Sequence, residues 1–216
     1  MSENSTTASQ IGPQGEKPRK RSMFTFWMVV LVTAAPFVAS TFFFFVIKPQ
    51  GKPPYGELIQ PQRQVPQLQL ATLTGKSVDL RKYNGYWLMI VAGPAACGKS
   101  CQSLLYDIRQ FFIAAGDDRY RVARIWLVTD SGPVNPGVFE PAEGTVILRA
   151  QPDQLKQWLP LAPGEHLEGP IWLVDPLGNL MMRFPSNPDP LKTLSVFKKL
   201  LYNTAGWKAK HLEPLP

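Results

Sequence analysis

The hydrophobic pattern of the chain begins with one long apolar run near the N-terminus. Residues 22–47 contain no charged side chain, and most of them are aliphatic or aromatic. A helix of about 20 apolar residues is long enough to cross the hydrocarbon core of a bilayer. The run therefore predicts a single transmembrane helix over residues 22–47. Pro36 lies near its middle, a position that membrane helices tolerate.

The region that follows alternates between short apolar runs and segments whose apolar residues are three or four positions apart. Short runs are typical of strands, and the wider spacing is typical of helices. The predicted strands lie at residues 68–73, 78–80, 87–92, 121–128, 145–148, 171–174 and 180–184, and the predicted helices begin near residue 102, cover residues 153–159 and begin at residue 190. Strands that alternate with helices in this way predict an α/β fold.

Polar segments separate and flank these two regions. Residues 1–21 are polar and contain Ser and Thr, a composition typical of a disordered tail. Residues 48–61 are rich in proline and glycine, which predicts a semi-extended tether between the helix and the domain. The folded domain is expected to cover residues 62–207, with residues 208–216 as a C-terminal tail.

Basic residues around the apolar run predict its orientation. Four of them lie between Lys17 and Arg21, whereas Lys48 and Lys52 follow the run. An excess of Lys and Arg marks the cytoplasmic side of a membrane helix. In a bacterium, this places the N-terminus in the cytoplasm and the domain in the periplasm, as a single-pass protein of the inner membrane. The other basic residues are scattered and form no stripe with aromatic residues, so the net charge of +7 does not indicate nucleic-acid binding.

Candidate chemistry is concentrated at the two cysteines, Cys97 and Cys101, between a predicted strand and a predicted helix. Thiols four positions apart at the start of a helix approach closely enough to form a disulfide or to bind one soft metal ion. The helix N-terminus and Lys99 both favour a thiolate. A purely structural disulfide is the less favoured alternative, because closing so short a loop restricts the unfolded chain little.

The same residues also match a second pattern. The stretch from Gly93 to Ser100 satisfies G-x-x-x-x-G-K-S, the phosphate-binding loop, and lies between a strand and a helix as that loop requires. Asp130 or Asp175, each following an apolar strand, would supply the Mg²⁺ ligand. A nucleotide-binding protein is therefore an alternative. The predicted periplasmic location disfavours it, because that compartment is oxidising and essentially lacks ATP.

The order of these features resembles the Sco/SenC family of thioredoxin-like proteins, which are membrane-tethered copper chaperones and thiol–disulfide proteins of cytochrome c oxidase assembly. The matching features are the membrane anchor, the hairpin before the core strand, the C-x-x-x-C spacing, the strand ending at Asp130, and the late hairpin from Trp172 to Gly178. The resemblance implies a thioredoxin-like domain over residues 62–207. It also implies that Cys97 and Cys101 are redox-active and bind Cu(I).

The chain departs from the family pattern near the cysteines and before the late hairpin. Gly98 and Gln102 stand where the family has prolines. The copper-binding histidine of the family aligns with Leu167, and His166, one residue earlier, is the candidate third metal ligand. The Gly-Pro pair at residues 169–170 instead resembles the cis-proline of redox-active thioredoxins.

Together these features predict a membrane-anchored thiol–disulfide oxidoreductase or copper-handling protein of cytochrome c oxidase assembly. Cys97 is expected to attack a substrate disulfide, and Cys101 is expected to resolve the mixed disulfide. The expected partners are a respiratory oxidase subunit or another thiol or copper assembly protein. A Sco-like assembly scaffold without catalysis is the remaining alternative.

Overall fold

The computed structural model of the chain describes residues 23–47 and 53–206. The chain divides into two compact units, Met1–Gly51 and Lys52–Pro216. All strands among the described residues, and both cysteines, belong to the second unit.

The described residues of the first unit, 23–47, form one helix. Helix α1 covers Met23–Phe42 and continues as a π-helical turn over Phe43–Ile47. The side chains of Met23–Phe45 are exposed and mostly apolar, and this stretch is long and apolar enough to cross a membrane. The structure thus confirms the predicted apolar helix. The tails predicted at residues 1–21 and 208–216 lie outside the described residues.

The second unit is built on one eight-stranded mixed sheet with helices on its faces. The strands are β1 (Glu57–Gln64), β2 (Leu70–Thr72), β3 (Ser77–Val78), β4 (Trp87–Gly93), β5 (Val122–Val128), β6 (Val146–Ala150), β7 (Ile171–Val174) and β8 (Asn179–Phe184). Their order across the sheet is β1-β8-β7-β4-β5-β6-β2-β3. The helices are α2 (Lys99–Ala114), α3 (Pro152–Trp158) and α4 (Pro190–Asn203). The predicted α/β fold is confirmed.

Strand β4 lies inside the sheet and separates two hydrophobic cores. It pairs in parallel with β5 and antiparallel with β7, and all its residues are buried. Leu88 and Ile90 belong to one core, whereas Met89 and Val91 belong to the other, because successive side chains of a strand point to opposite faces. The second core contains the buried apolar residues of α2 and α4 and also Cys97. The cysteine-bearing loop therefore leaves the sheet on the face that α2 and α4 cover.

The folded unit begins earlier than the sequence predicts. Residues 57–61, assigned to the tether, form the first part of β1, which pairs antiparallel with β8. The register shifts between Leu58 and Arg63, around Pro61. Proline lacks an N–H group and is tolerated in a strand at the sheet edge or at a bulge, and β1 is the edge strand. Its proline and polar residues gave the segment the composition of a linker. Residues 48–52 of the tether lie outside the described residues.

The boundaries of the helices follow local sequence signals. Helix α2 begins at Lys99, three residues before the predicted start, and ends before Gly116, whose φ of +62° suits glycine. Asp189 caps α4: its Oδ1 accepts hydrogen bonds from the amides of Leu191 at 3.0 Å and Lys192 at 3.1 Å. Both bonds lower the pKa of the Asp189 carboxyl, and the bond from the Lys192 amide has the larger effect. The predicted capping of α4 is confirmed.

Candidate functional site

Cys97 and Cys101 form a disulfide at the carboxyl end of β4. The Sγ atoms are 1.93 Å apart, and the Cα atoms are 5.2 Å apart. Cys101 is the third residue of α2, whereas Cys97 precedes the N-cap residue Gly98 and lies outside the helix. The structure therefore brings the two predicted site residues together and joins the loop after β4 to the first turn of α2.

Cys97 adopts an unusual backbone conformation. Its φ of +34° falls in a region that residues with a Cβ rarely occupy. Its amide donates a hydrogen bond to the carbonyl oxygen of Pro94 at 3.0 Å, which closes a tight turn. Its own carbonyl oxygen accepts a bond of 3.0 Å from Nε2 of Gln102, one of the residues that replace the family prolines. Backbone and side-chain bonds thus hold this conformation on both sides of the residue.

The loop after β5 is hydrogen-bonded to the loop between β4 and α2 that carries Cys97, which we call the cysteine loop. The carboxylate of Asp130 accepts hydrogen bonds from the amides of Ala95, at 3.2 and 3.3 Å, and Gly132, at 3.0 Å. Asn135 donates from its amide to the carbonyl of Ala95 at 3.0 Å and from Nδ2 to the carbonyl of Ala96 at 3.2 Å. The cysteine loop is therefore fixed to the end of β5 as well as to β4.

This bonding pattern does not fit the phosphate-loop alternative. A phosphate loop directs successive free backbone N–H groups toward an anion. Here the amide of Ala95 donates to Asp130, the amide of Cys97 donates to Pro94, and a disulfide crosses the loop. Asp175, the other candidate Mg²⁺ ligand, accepts bonds from the amides of the turn between β7 and β8. Both carboxylates therefore have structural partners.

The two sulfur-bearing residues differ in their access to solvent. Cys97 is 0% exposed and belongs to the core between the sheet and helices α2 and α4. Cys101 is half-buried, and its neighbours Lys99 and Ser100 are exposed. This pattern is the reverse of the one expected for an attacking Cys97 and a resolving Cys101.

A small niche at Gly93, the last residue of β4, brings two further side chains to the disulfide. A Cβ built on Gly93 would lie 3.6 Å from Sγ of Cys101, 3.8 Å from Nε1 of Trp126 and 4.0 Å from Cγ of Glu168. Trp126 is 0% exposed, and among the described residues its indole N–H has no hydrogen-bond partner. Glu168 is exposed and is held beside β4 by an isolated bridge to Ala92.

Sequence reasoning missed both of these side chains. Trp126 lies within an apolar strand run, where it has the pattern of an ordinary core residue. Its position beside the site follows from the pairing of β4 with β5, which sets Trp126 opposite Val91. Glu168 lies two residues after His166, in the loop that carries the candidate third copper ligand. Its acidic side chain, so close to that histidine in the sequence, is the signal that could have indicated it.

The structure does not bring His166 to the cysteines. His166 is exposed, and no three His, Cys, Asp or Glu side chains within residues 23–47 and 53–206 are grouped closely enough to hold one metal ion. Leu167, the residue aligned with the family histidine, is buried in the core on the opposite face of the sheet from Cys97. Metal ligation by His166 stays a prediction.

The Gly-Pro pair that resembles the cis-proline of redox-active thioredoxins lies in the loop before β7. The cis peptide bond among the described residues is Gln60–Pro61, so the bond between Gly169 and Pro170 is trans. The side chain that the loop places near the disulfide is Glu168.

The sequence of residues 87–203 matches the family model described as "Transmembrane-like, thioredoxin-like, C-terminal domain". The chain belongs to this family. The matched stretch runs from the start of β4 to the end of α4 and includes both cysteines and Trp126. A comparison with curated protein sequences finds no match.

Several solved structures of Sco proteins share the fold. Yeast Sco1 has 14% sequence identity and a TM-score of 0.53, and the alignment covers 70% of this chain and 100% of that one. Yeast Sco1 with copper bound has 15% identity and a TM-score of 0.51, covering 74% and 96%. Arabidopsis thaliana ScoI with copper bound has 15% identity and a TM-score of 0.50, covering 63% and 96%. The predicted thioredoxin-like fold of Sco type is confirmed.

Proposed function

We propose that this chain is a membrane-anchored, Sco-like thiol–disulfide oxidoreductase whose Cys97 and Cys101 alternate between a disulfide and a dithiol. The observation that carries the proposal is the disulfide at the start of α2, in which Cys97 is buried and Cys101 is only half-buried. A disulfide that closes so short a loop contributes little through the unfolded chain. An accessible cysteine in the first turn of a helix is favoured as a thiolate, and thiolates carry out disulfide exchange.

The first turn of α2 favours a thiolate for two reasons. The N-cap residue Gly98 has no side chain to satisfy the amides of the first turn, so their partial positive charge is available to an anion. Lys99, exposed between the two cysteines, adds a full positive charge. The fixed hydrogen bonds of Asp130, Asn135 and Gln102 hold the loop in place as the sulfur bond opens and closes.

The reduced pair also suits Cu(I) as cargo. Two thiolates whose Cα atoms are 5.2 Å apart in the disulfide form a soft ligand pair, which Cu(I) prefers. The yeast and Arabidopsis Sco proteins of the same fold were crystallised with copper bound, which supports copper as a cargo here. His166 would supply a third ligand only after its loop moved, so the two cysteines alone hold Cu(I) in this proposal.

The proposed location is the inner membrane of a bacterium, with α1 as the anchor, the N-terminus in the cytoplasm and the domain in the periplasm. The basic residues before the apolar helix support this orientation. An oxidising compartment supplies disulfides with which the pair can exchange. The proposed partner is a respiratory oxidase subunit, or another thiol or copper protein of oxidase assembly.

Redox equilibration of the full chain in detergent micelles tests this function. The protein is incubated in glutathione buffers of graded potential, its free thiols are alkylated, and the mass shift gives the reduced fraction. We expect full interconversion of the pair, and stoichiometric Cu(I) binding by the reduced form. The double variant Cys97→Ser, Cys101→Ser should show neither. A disulfide that resists reduction in the folded protein, or Cu(I) retention by the double variant, would contradict the proposal.

A further inference from the structure

We propose that a cavity between the start of β1, the end of β8 and the loop before β7 binds a basic side chain of a polypeptide substrate, close to the substrate cysteine that exchanges with the Cys97–Cys101 pair. We call this space the β8 cavity. The inference rests on the proposed function, since it names a feature of the substrate of the same site. The recognising residues lie outside the cysteine loop.

The β8 cavity is preformed and has an apolar wall. Its volume is about 370 Å³, within the range of sites that bind small ligands. The ring of Tyr55 stacks on that of Phe184, with centroids 6.2 Å apart and an angle of 22° between the planes. Oη of Tyr55 accepts a hydrogen bond of 2.7 Å from the amide of Asp189, which fixes the ring. Pro170 and Pro185 also line the cavity. Surfaces of this kind pack against the methylene stem of a long side chain.

The charged residues that line the β8 cavity leave a negative charge in excess. Nη2 of Arg183 lies 2.6 Å from Oε2 of Glu57, and its Nη1 lies 2.5 Å from Oε2 of Glu165. A hydrogen bond from the Ala162 amide, and then one from Arg183, lower the pKa of the Glu165 carboxyl and keep it ionised at neutral pH. Two carboxylates thus face one guanidinium.

Both carboxylates can accept from a further cation. Within residues 53–206, every hydrogen bond that Glu57 and Glu165 accept goes to Oε2, which leaves Oε1 of each for another donor. Their side chains are 68% and 39% exposed, so a ligand can reach them. The nearby ammonium of Lys192 pairs with the carboxylate of Asp189 at 3.3 Å and does not offset the excess charge. An apolar wall beside free carboxylate oxygens fits the stem and the head group of lysine or arginine.

The loop before β7 forms one side of the β8 cavity. Pro170 lines the cavity, as does Ser186, which follows β8. A Cβ built on Gly169 would lie 2.6 Å from Oγ of Ser186, so the two segments are in direct contact. The φ of Gly169 is +114°, a conformation that glycine adopts without strain.

The same loop also borders the disulfide. Cγ of Glu168 lies 4.0 Å from the Cβ position of Gly93, and Sγ of Cys101 lies 3.6 Å from it. Glu168 and Pro170 are two residues apart, which is about 7 Å of chain. An extended peptide rises about 3.3 Å per residue, so a side chain about two to five residues from the substrate cysteine can enter the cavity while that cysteine lies at the disulfide.

Exchange with synthetic peptides tests the proposal. The full chain in detergent micelles is reduced and mixed with short Gly/Ser peptides whose single cysteine is bonded through sulfur to 2-thiopyridine. The protein dithiol becomes the disulfide, the peptide thiol and pyridine-2-thione are released, and the absorbance of the thione gives the rate. Lysine is placed in turn at each position about two to five residues before or after the cysteine. Norleucine, which has a similar stem without the charge, is the matched peptide at each position.

We expect lysine at one of these positions to raise the second-order rate constant about threefold to tenfold over norleucine, and glutamate there to lower it below norleucine. Glu57→Gln and Glu165→Gln should each reduce the ratio of the lysine rate to the norleucine rate, because each removes one carboxylate charge. Glu140→Gln is the matched control, since Glu140 is exposed and lies outside the cavity, and it should keep the wild-type ratio.

A ratio near one at every position would overturn the proposal. So would a ratio that Glu140→Gln lowers as much as Glu165→Gln does, because the effect would then follow from the general charge of the protein. Failure of the proposed function looks different: the reduced wild type would then release no thione from 2,2′-dithiodipyridine, a small neutral disulfide that carries no side chain to be recognised.

Discussion

The guanidinium group of Arg124 lies over the ring of Phe112, with its central carbon 4.3 Å from the ring centroid. Arg124 belongs to β5 and is only 6% exposed, and its Nε and Nη1 atoms have no hydrogen-bond partner among the described residues. Burial is the main cause that lowers the pKa of this guanidinium to about 10. A charge is thus held in the domain beside an aromatic face and within reach of the Glu143 carboxylate, which favours the charged form.

Replacing this charge with an apolar side chain should not weaken the fold. We expect Arg124→Met to keep the free energy of unfolding or to raise it by up to about 3 kcal/mol, because buried charges are often replaced by apolar groups at no cost. Urea unfolding of the full chain in micelles measures the change. Arg81→Met, at an exposed arginine paired with Asp79, is the control and should change the free energy little.

The advantage of Arg124→Met should also depend on pH. The pKa of Arg124 is lower in the folded protein than in the unfolded chain, so the unfolded chain binds more protons between the two values. The stability of the wild type relative to Arg124→Met must therefore rise with pH through this range. The difference in unfolding free energy between the two proteins, measured at about pH 8 and about pH 10.5, should shrink. A constant difference would contradict the burial of the charge.

Gly144 lies against the same arginine and gives a matched stability test. Its φ is +67°, and a Cβ there would lie 2.6 Å from Nη2 of Arg124. Gly75 has a φ of +85° with no atom near its Cβ position. Gly75→Ala should therefore cost about 1 kcal/mol for the backbone alone, and Gly144→Ala should cost clearly more. Adding Arg124→Met to Gly144→Ala should remove the excess, and urea midpoints that show equal costs for both alanines would contradict the contact.

The sequence predicted most elements of the domain because each carries a local signal. The hairpin of β7 and β8 has a turn sequence between two apolar runs, and α4 begins with Asp189 and Pro190, a cap and a favoured first residue. Strand β1 has no such signal. Pro61 and its polar neighbours resemble a linker, and the segment is a strand only because β8 offers it an edge.

The candidate site was predicted in composition but not in geometry. The spacing of Cys97 and Cys101 was enough to pair them, since four positions is a local distance. Their exposure was not predictable, because it depends on how the sheet and α4 cover Cys97. The approach of Trp126 and Glu168 depends on contacts between distant segments of the chain. No local pattern encodes these contacts.

The carboxylate of Glu168 should disfavour a thiolate at Cys101. Its side chain borders the same niche as Sγ of Cys101, and a nearby negative charge disfavours a thiolate. We expect Glu168→Gln to lower the pKa of the Cys101 thiol, measured by alkylation in the Cys97→Ser background. Glu165→Gln is the control from the same loop, because that carboxylate pairs with Arg183. A higher pKa in Glu168→Gln would show that the carboxylate assists the thiolate instead.

The orientation of the apolar helix α1 is testable with fused reporters. Alkaline phosphatase, which is active only outside the bacterial cytoplasm, should be active when fused after Pro216, and a green fluorescent protein fused there through the general export route should be dark. The four basic residues before the helix are the physical cause, so changing all four to serine should reduce phosphatase activity. The opposite pair of signals would place the cysteines in a reducing compartment and remove a main support for the proposed function.

Copper binding separates the two cysteines from His166. His166 is exposed and is not grouped with the cysteines, so we expect His166→Ala to change the Cu(I) affinity of the reduced protein by no more than about twofold to threefold, as an ordinary surface substitution does. Cys97→Ser and Cys101→Ser should each lower it by at least about tenfold, because each removes a soft ligand. Competition with a coloured Cu(I) chelator under anaerobic conditions measures the affinity. The control is His211→Ala, which replaces the other of the two histidines in the sequence. Cu(II), which prefers nitrogen ligands, should bind poorly to all of these proteins. If the wild type instead holds stoichiometric Cu(II) and His166→Ala releases it, the loop before β7 delivers the imidazole to the cysteines and copper transfer is the primary function.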